Sequence, residues 1–300
     1  MKITKRLLSL LCSAVLSGCG GNGLLNKIES RVVATESPFQ ELQNISTTVS
    51  VEQFEFQPTR IQVGTVYHFT ISNRDKSYIK NIALYVADEN KLESFKMYPG
   101  ADHTVVVEAE MDWEKFSIKS VNQIEISKEL VRTETLRMAL KEEPSYLYVY
   151  GGSRIPRGEY MPGYFPATNH GFDFSDLNFA FRHLRDPRSD VEVGVAAPVP
   201  PGKLAYTGNM KMLYVGEESY KGRSCYRYSI SGRGVGGRTG YLLVNQRGGH
   251  FEYMELDANY HPKFDYFRYE LSSVSQMTRE QWDSHVESES RRHFNDHSFD

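Results

Sequence analysis

The chain has 300 residues, of which 40% are hydrophobic, 24% charged and 12% aromatic. A mean hydropathy of -0.49 excludes a multi-span membrane protein, since no apolar run approaches the ~20 residues that a spanning helix needs, and the apolar fraction excludes wholesale disorder. With 35 basic against 38 acidic side chains, a net charge of -3 and no Lys/Arg cluster, the balance argues against nucleic-acid binding. Tyr (19) and Phe (16) are abundant and Trp (2) is scarce, a mix that favours strands over helices.

The chain starts with a basic stretch, Lys2, Lys5 and Arg6, then an apolar run from Leu7 to Leu16, then small residues. This order describes a secretory signal peptide over residues 1–18. The sequence Leu16-Ser17-Gly18-Cys19 resembles the lipobox of bacterial lipoproteins. The resemblance implies cleavage before Cys19, a diacylglyceryl thioether on its sulfur and an acyl chain such as palmitate on the new amine. Gly20 follows the cysteine in place of the Asp that commonly retains such proteins in the inner membrane. The expected location is therefore the outer membrane, facing the periplasm. Two or three acyl chains anchor stably at ~0.8 kcal/mol per buried methylene. Residues 19–46 start Gly-rich and read as a lipidated tether. Losing Lys2, Lys5 and Arg6 takes 35 basic side chains to 32 against 38 acidic, a mature net charge of about -6. Of three cysteines, Cys12 leaves with the signal and Cys19 takes the lipid. Cys225 then has no disulfide partner, and Cys-rich metal sites are excluded.

From residue 47 to 126, Tyr67/Phe69/Ile71, Ile82/Leu84/Val86 and Val105/Val107/Ala109 alternate between turn residues, as in a small β-sandwich. Phe56-x-Pro58-x-x-Ile61-x-Val63, Phe69-x-Ile71-x-Asn73, Asn81-Ile82-Ala83-Leu84 and Pro99-Gly100 with Thr104-Val105 together resemble the cupredoxin fold. The resemblance places the first copper-binding histidine where this chain has Lys80, whose ammonium has no lone pair to give. The ligand loop reads Asp112-Trp113-Glu114-Lys115-Phe116-Ser117 without a Cys, so no type 1 copper centre is expected. His68 and His103 lie opposite the apolar phase and read as solvated.

Residues 127–203 are mixed. Helix formers fill Ser127 to Glu143 before Pro144, and Leu136/Met138/Leu140 also alternate; the balance leans to a helix. Tyr146, Tyr148 and Tyr150 read as a strand. The stretch 151–175 is rich in Gly, Pro and aromatic residues, and a long loop of this kind is often functional. Tyr160, Tyr164, Phe165 and Phe172 are candidates for an aromatic ligand platform, with Arg154 and Arg157 for an acidic group. Alternatively the same rings staple the loop to the body. His170 and Asp173 are candidate metal ligands, two short of a site. Asp176 to His183 suits one or two helical turns.

Residues 204–291 repeat strand and short turn, as in an antiparallel meander. Thr278-Arg279-Glu280-Gln281 is a capping box, flanked by Met277 and Trp282 as a hydrophobic staple; Trp282 and Val286 start a helix that fades into a polar tail at 292–300. The Gly232 to Gly237 run lacks the Gly-Lys-Ser/Thr end of a phosphate loop and leads into a strand. The expected architecture is mainly β: a cupredoxin-like β-sandwich, then a curved antiparallel β-sheet domain with a short C-terminal helix. That second part is similar, in architecture alone, to half-barrel periplasmic lipoprotein-carrier and lipid-binding families, which implies an apolar ligand. With no catalytic constellation and no cofactor motif, the expected function is a non-catalytic binding or assembly module of the envelope. Its expected partners are the membrane, through the lipid, and an envelope protein or apolar ligand. The alternative is an envelope enzyme or metal-handling protein using the 151–175 loop.

Overall fold

Alternating apolar residues set the strands, and short turns make successive strands neighbours. The computed structural model describes residues 51–141, 146–152, 158–160, 166–169, 172–199, 203–261 and 264–296, all within a compact unit that spans 47–300. Strands β1 (Thr65–Ser72), β2 (Lys80–Asp88), β3 (Lys91–Met97), β4 (His103–Asp112), β5 (Ser117–Ser127), β6 (Arg132–Lys141), β7 (Tyr146–Gly152) and β8 (Gly158–Tyr160) each pair antiparallel with the next. Strand β9 (Ala167–Asn169) and helix α1 (Ser175–Phe181) precede a second series: β10 (Val191–Val199), β11 (Lys203–Tyr220), β12 (Arg223–Ser231), β13 (Gly240–Asn245), β14 (Phe251–His261) and β15 (Phe264–Gln276). Helix α2 (Arg279–Asp296) follows.

Strand β15 pairs antiparallel with β1, so both series form one 15-stranded sheet, with β8 and β9 at its edges. Among the described strands only the β9–β10 pair is parallel. This corrects the expected division. The strands assigned to a cupredoxin-like sandwich are half of a sheet whose other half is the expected meander. The seam explains it: β1 has an open edge facing β15, and Phe69 stacks on Tyr269 there with ring centres 4.4 Å apart. The sheet curls enough for the Ala167 amide of β9 to donate to Ser117 Oγ of β5 at 2.7 Å.

One apolar core fills the inner face. It gathers Phe69, Leu84 and Val107 from the first series, Val193, Met212, Leu242 and Leu271 from the second, and α1. All seven residues of α1 are buried. The short helix expected at 176–183 is thus the plug of the curved sheet. The inner face is packed with the chain's own side chains, α1 among them, and the C-terminal helix packs in a separate cluster.

Residues 132–141 are a strand, which corrects the helical reading. The two periods compete locally, and the free edge of β5 decides: hydrogen bonding to β5 puts Met138 on the inner face, 1% exposed. The outer face of β1–β5 is covered by α2. Val66, Tyr85, Phe95 and Val106 pack against Trp282 and Val286. The capping box forms as read: the Thr278 amide donates to Gln281 Oε1 at 2.8 Å, and the Gln281 amide donates to Thr278 Oγ1 at 3.3 Å. The helix outruns its apolar stripe because His293 and Phe294 are buried and His293 reaches the Ala101 carbonyl at 2.9 Å. His68, expected to be solvated, is half-buried beneath this helix, 3.1 Å from Ser275 Oγ.

The turn between β13 and β14 seats against the end of α1. Gly249 has φ of +63°, and a Cβ there would lie 2.7 Å from the Arg182 Cα and Cβ. Both the left-handed backbone and the contact oppose a side chain. Gly249→Ala is expected to destabilise the fold by about 1–3 kcal/mol, read from the midpoint of urea unfolding.

Candidate functional site

The candidate residues Arg154, Arg157, Tyr164, Phe165 and His170, and the lipidation residue Cys19, lie outside the described residues. Tyr160 ends β8, where only the backbone is described. Phe172 is 1% exposed and belongs to the core, so its ring is not part of an open ligand platform.

Asp173 follows directly, and it is committed. Its carboxylate lies 2.8 Å from Lys80 Nζ and 2.6 Å from Lys96 Nζ. Both lysines are buried. Burial pushes the carboxyl pKa up, but the Lys80 and Lys96 ammonium groups override it and hold the group well below the usual carboxylate range. Asp173 and Phe174 both take left-handed φ values, 52° and 57°, which turns the chain so that Phe172, Phe174 and Asp173 all point inward. A carboxylate clamped by two ammoniums is neither a metal ligand nor a general base. Among the described residues no group of three or more His, Cys, Asp or Glu is placed to hold a metal. Cys225 is fully buried, and burial, reinforced by Glu252, pushes its thiol up to about 11. That leaves it without thiolate character near neutral pH.

An open groove lies on the other face of the sheet. Along β12 to β15 the inward phase carries Tyr228, Ile230, Leu242, Met254, Leu256 and Phe267. The outward phase carries Arg227, Ser229, Tyr241, Glu255, Asp257 and Tyr266, which line a pocket of about 510 Å³ with Arg74 at its side. Register builds it: Ser229 lies opposite Tyr241, Tyr241 opposite Glu255, and Asp257 opposite Tyr266. Gly240 forms part of the lining, and a Cβ there would fall 1.8 Å from the Glu255 carbonyl oxygen, so the strands can approach only because the residue is glycine.

Charge and ring faces alternate across this groove. The Arg227 guanidinium carbon lies 4.5 Å from the Tyr241 ring centre and that of Arg74 4.3 Å from Tyr266. Tyr241 stacks on Tyr253 at 5.4 Å, and Tyr253 Oη donates to Glu255 Oε2 at 2.6 Å. Arg227 pairs with Glu218 at 2.6 Å and Arg74 with Asp257 at 3.4 Å. Partial burial, then the Glu255 carboxylate, raises the pKa of both Tyr241 and Tyr266. Both phenols therefore stay neutral, which excludes phenolate chemistry; Tyr266 is buried beneath Arg74, and Tyr241 lies between Arg227 and Tyr253. Carboxylates and guanidiniums side by side along this groove suit a ligand with many hydroxyl groups, which can exchange hydrogen bonds with both charge types. Sequence reading missed this groove. The signal available was the polar phase of β12–β15, where Arg, Tyr and Glu recur opposite the apolar residues.

No protein-family model matches the chain, and no curated protein matches it. Among solved structures, the chain is similar to a β-barrel-like protein of the domain of unknown function DUF1849 from Brucella abortus, at 8% identity and a TM-score of 0.38, over 71% of this chain and 97% of that one. It is also similar to a DUF1329 family protein from Desulfovibrio piger, at 10% identity and a TM-score of 0.28, over 73% of this chain and 88% of that one. At these values neither likeness defines an activity.

Proposed function

We propose that this chain is a lipid-anchored protein of the bacterial outer membrane, facing the periplasm, that acts as a non-catalytic binding module for a hydroxyl-rich ligand of the envelope, such as an oligosaccharide. The observation that carries the binding role is the outer groove, where Tyr241 and Tyr266 alternate with Arg74, Arg227, Glu255 and Asp257 around about 510 Å³. The packed concave face favours this groove over an apolar cargo held inside the sheet. The anchor rests on Leu16-Ser17-Gly18-Cys19.

Two experiments test the two parts. Envelope oligosaccharides titrated into the full mature chain are expected to shift amide resonances of β12–β15. Arg227→Ala combined with Glu255→Gln is expected to weaken binding at least tenfold, since a hydrogen bond to a charged group contributes about 1.5–3 kcal/mol. Equal binding by the double variant would remove the groove from the account. For the anchor, cells fed an alkyne-bearing palmitate are expected to label the wild type and not Cys19→Ser. An unlabelled wild type refutes lipidation and leaves the groove untouched.

A further inference from the structure

Exposed large apolar side chains among the described residues stand mostly apart. Val63, Ile79, Val131 and Val274 come from four separate parts of the chain, and exposed residues scattered singly need no explanation. Leu213 and Val215 differ. They share the outward phase of β11, 43% and 55% exposed, and Val215 lines the outer groove together with Arg227 and Ser229.

A break in the β11–β12 register puts Val215 there. Tyr214 lies opposite Tyr228 and Gly216 opposite Arg227, so Val215 is the extra residue of a bulge. A bulge re-aims a side chain and is common next to binding sites. Gly216 has φ of +139°, and no heavy atom lies within 4 Å of the place a Cβ would take, so this side of the bulge is open. Leu213 lies opposite Ser229, Ser229 opposite Tyr241, and Tyr241 opposite Glu255. The row runs from an apolar end, over a small hydroxyl, to a carboxylate. Its apolar end is short: Lys211 precedes it in the outward phase and Glu217 follows, both exposed.

A sugar hydroxyl set against Val215 gives up water without gaining a partner. A methyl group buried there gains about fourfold in affinity. Two side chains bounded by Lys211 and Glu217 cover a methyl group and are too few to cover an acyl chain. An acetamido group carries a methyl beside one donor and one acceptor, which matches an apolar residue beside a hydroxyl and charged groups of both signs.

We infer that the ligand of this groove is an oligosaccharide of N-acetylated amino sugars, with Val215 and Leu213 taking an acetamido methyl and Ser229, Arg227 and Glu255 exchanging hydrogen bonds with its amide and the sugar hydroxyls. The inference rests on the outer groove being a site for hydroxyl-rich ligands and names which of them it selects.

The test compares two neutral trimers of the same linkage, one of N-acetylglucosamine and one of glucose, titrated into the full mature chain. The acetylated trimer is expected to bind about tenfold tighter or more, from the buried methyl and one added hydrogen bond. It is expected to shift the methyl resonances of Val215, which the glucose trimer leaves in place. Val215→Ser, at a site more than half exposed, is expected to fold as the wild type does, to lose about fourfold in affinity for the acetylated trimer and to bind the glucose trimer unchanged. Equal affinities, with both trimers shifting resonances of the groove, overturn the inference and leave the groove reading standing. Binding of neither trimer overturns both. A Val215→Ser variant that keeps the full preference for the acetylated trimer overturns the inference alone.

Discussion

Asp173→Asn is expected to cost about 3–5 kcal/mol, the range for breaking a buried ion pair from one side. The carboxylate is shared by Lys80 and Lys96, which are 6% and 1% exposed. Asparagine keeps the shape but removes the negative charge that Lys80 and Lys96 share in an apolar surrounding. Since a domain holds only ~5–15 kcal/mol in total, the variant should show a large fall in its urea midpoint. Adding Lys96→Met to Asp173→Asn is expected to recover part of the loss, because it removes one of the two buried positive charges. A midpoint unchanged in Asp173→Asn would mean that the triad is hydrated and energetically idle. The pH dependence has a definite sign. The folded-state pKa of Asp173 is depressed, so its stabilisation is complete above the ordinary carboxylate value of ~3.9 and is lost as pH falls from there through the depressed value. Acid unfolding of the wild type should therefore fall in that range, and Asp173→Asn should lose that part of the pH dependence.

Trp282→Ala is expected to cost a similar ~3–5 kcal/mol. The indole is 1% exposed, stacks on Tyr85 at 4.9 Å and 15°, and donates from Nε1 to Glu93 Oε2 at 2.7 Å. Arg279 holds the other oxygen of that carboxylate. Removing the indole empties the contact between α2 and β1–β5 and strips a nearly buried carboxylate of one donor. Trp282→Phe separates the two effects: it keeps most of the packing and loses only the N–H, for ~1–3 kcal/mol. Limited proteolysis should cut the alanine variant first within 279–296. The same interface contains His68 and His285, with ring centres 5.8 Å apart. Both have pKa values lowered mainly by burial. For His68 the neighbouring His285 adds to the lowering while Glu289 opposes it; for His285, Glu289 opposes and Arg292 adds. Their neutral forms favour the docked helix, so docking is full above ~6.5 and weakens as pH falls below it. Proteolysis at 279–296 that is unchanged on acidification would remove the pair from this role.

The alternation of Tyr67/Phe69/Ile71 and Ile82/Leu84/Val86 was legible as strands because a side-chain period of two survives in any local window. The capping box at Thr278 was legible for the same reason, since its hydrogen bonds span three residues. The pairing of β1 with β15 was not, because its partners lie some 200 residues apart and every strand edge offers the same amide and carbonyl groups. The two periods in Ser127 to Glu143 were balanced locally, and the open edge of β5 broke the tie. Lys80 was noticed as the wrong residue for copper; only the fold brought Asp173 to it. The outer groove lies in the polar phase of strands read chiefly for their apolar phase.

The sequence by itself determined the β-rich composition, most strand positions, the capped terminal helix and the lipobox-like start, because each depends on neighbours within a few residues. Tertiary structure decided that the strands form one sheet and that α1 fills its hollow. It also decided that Asp173 is clamped between Lys80 and Lys96. These depend on which distant surfaces meet, and burial and charge pairing act through space, not along the chain.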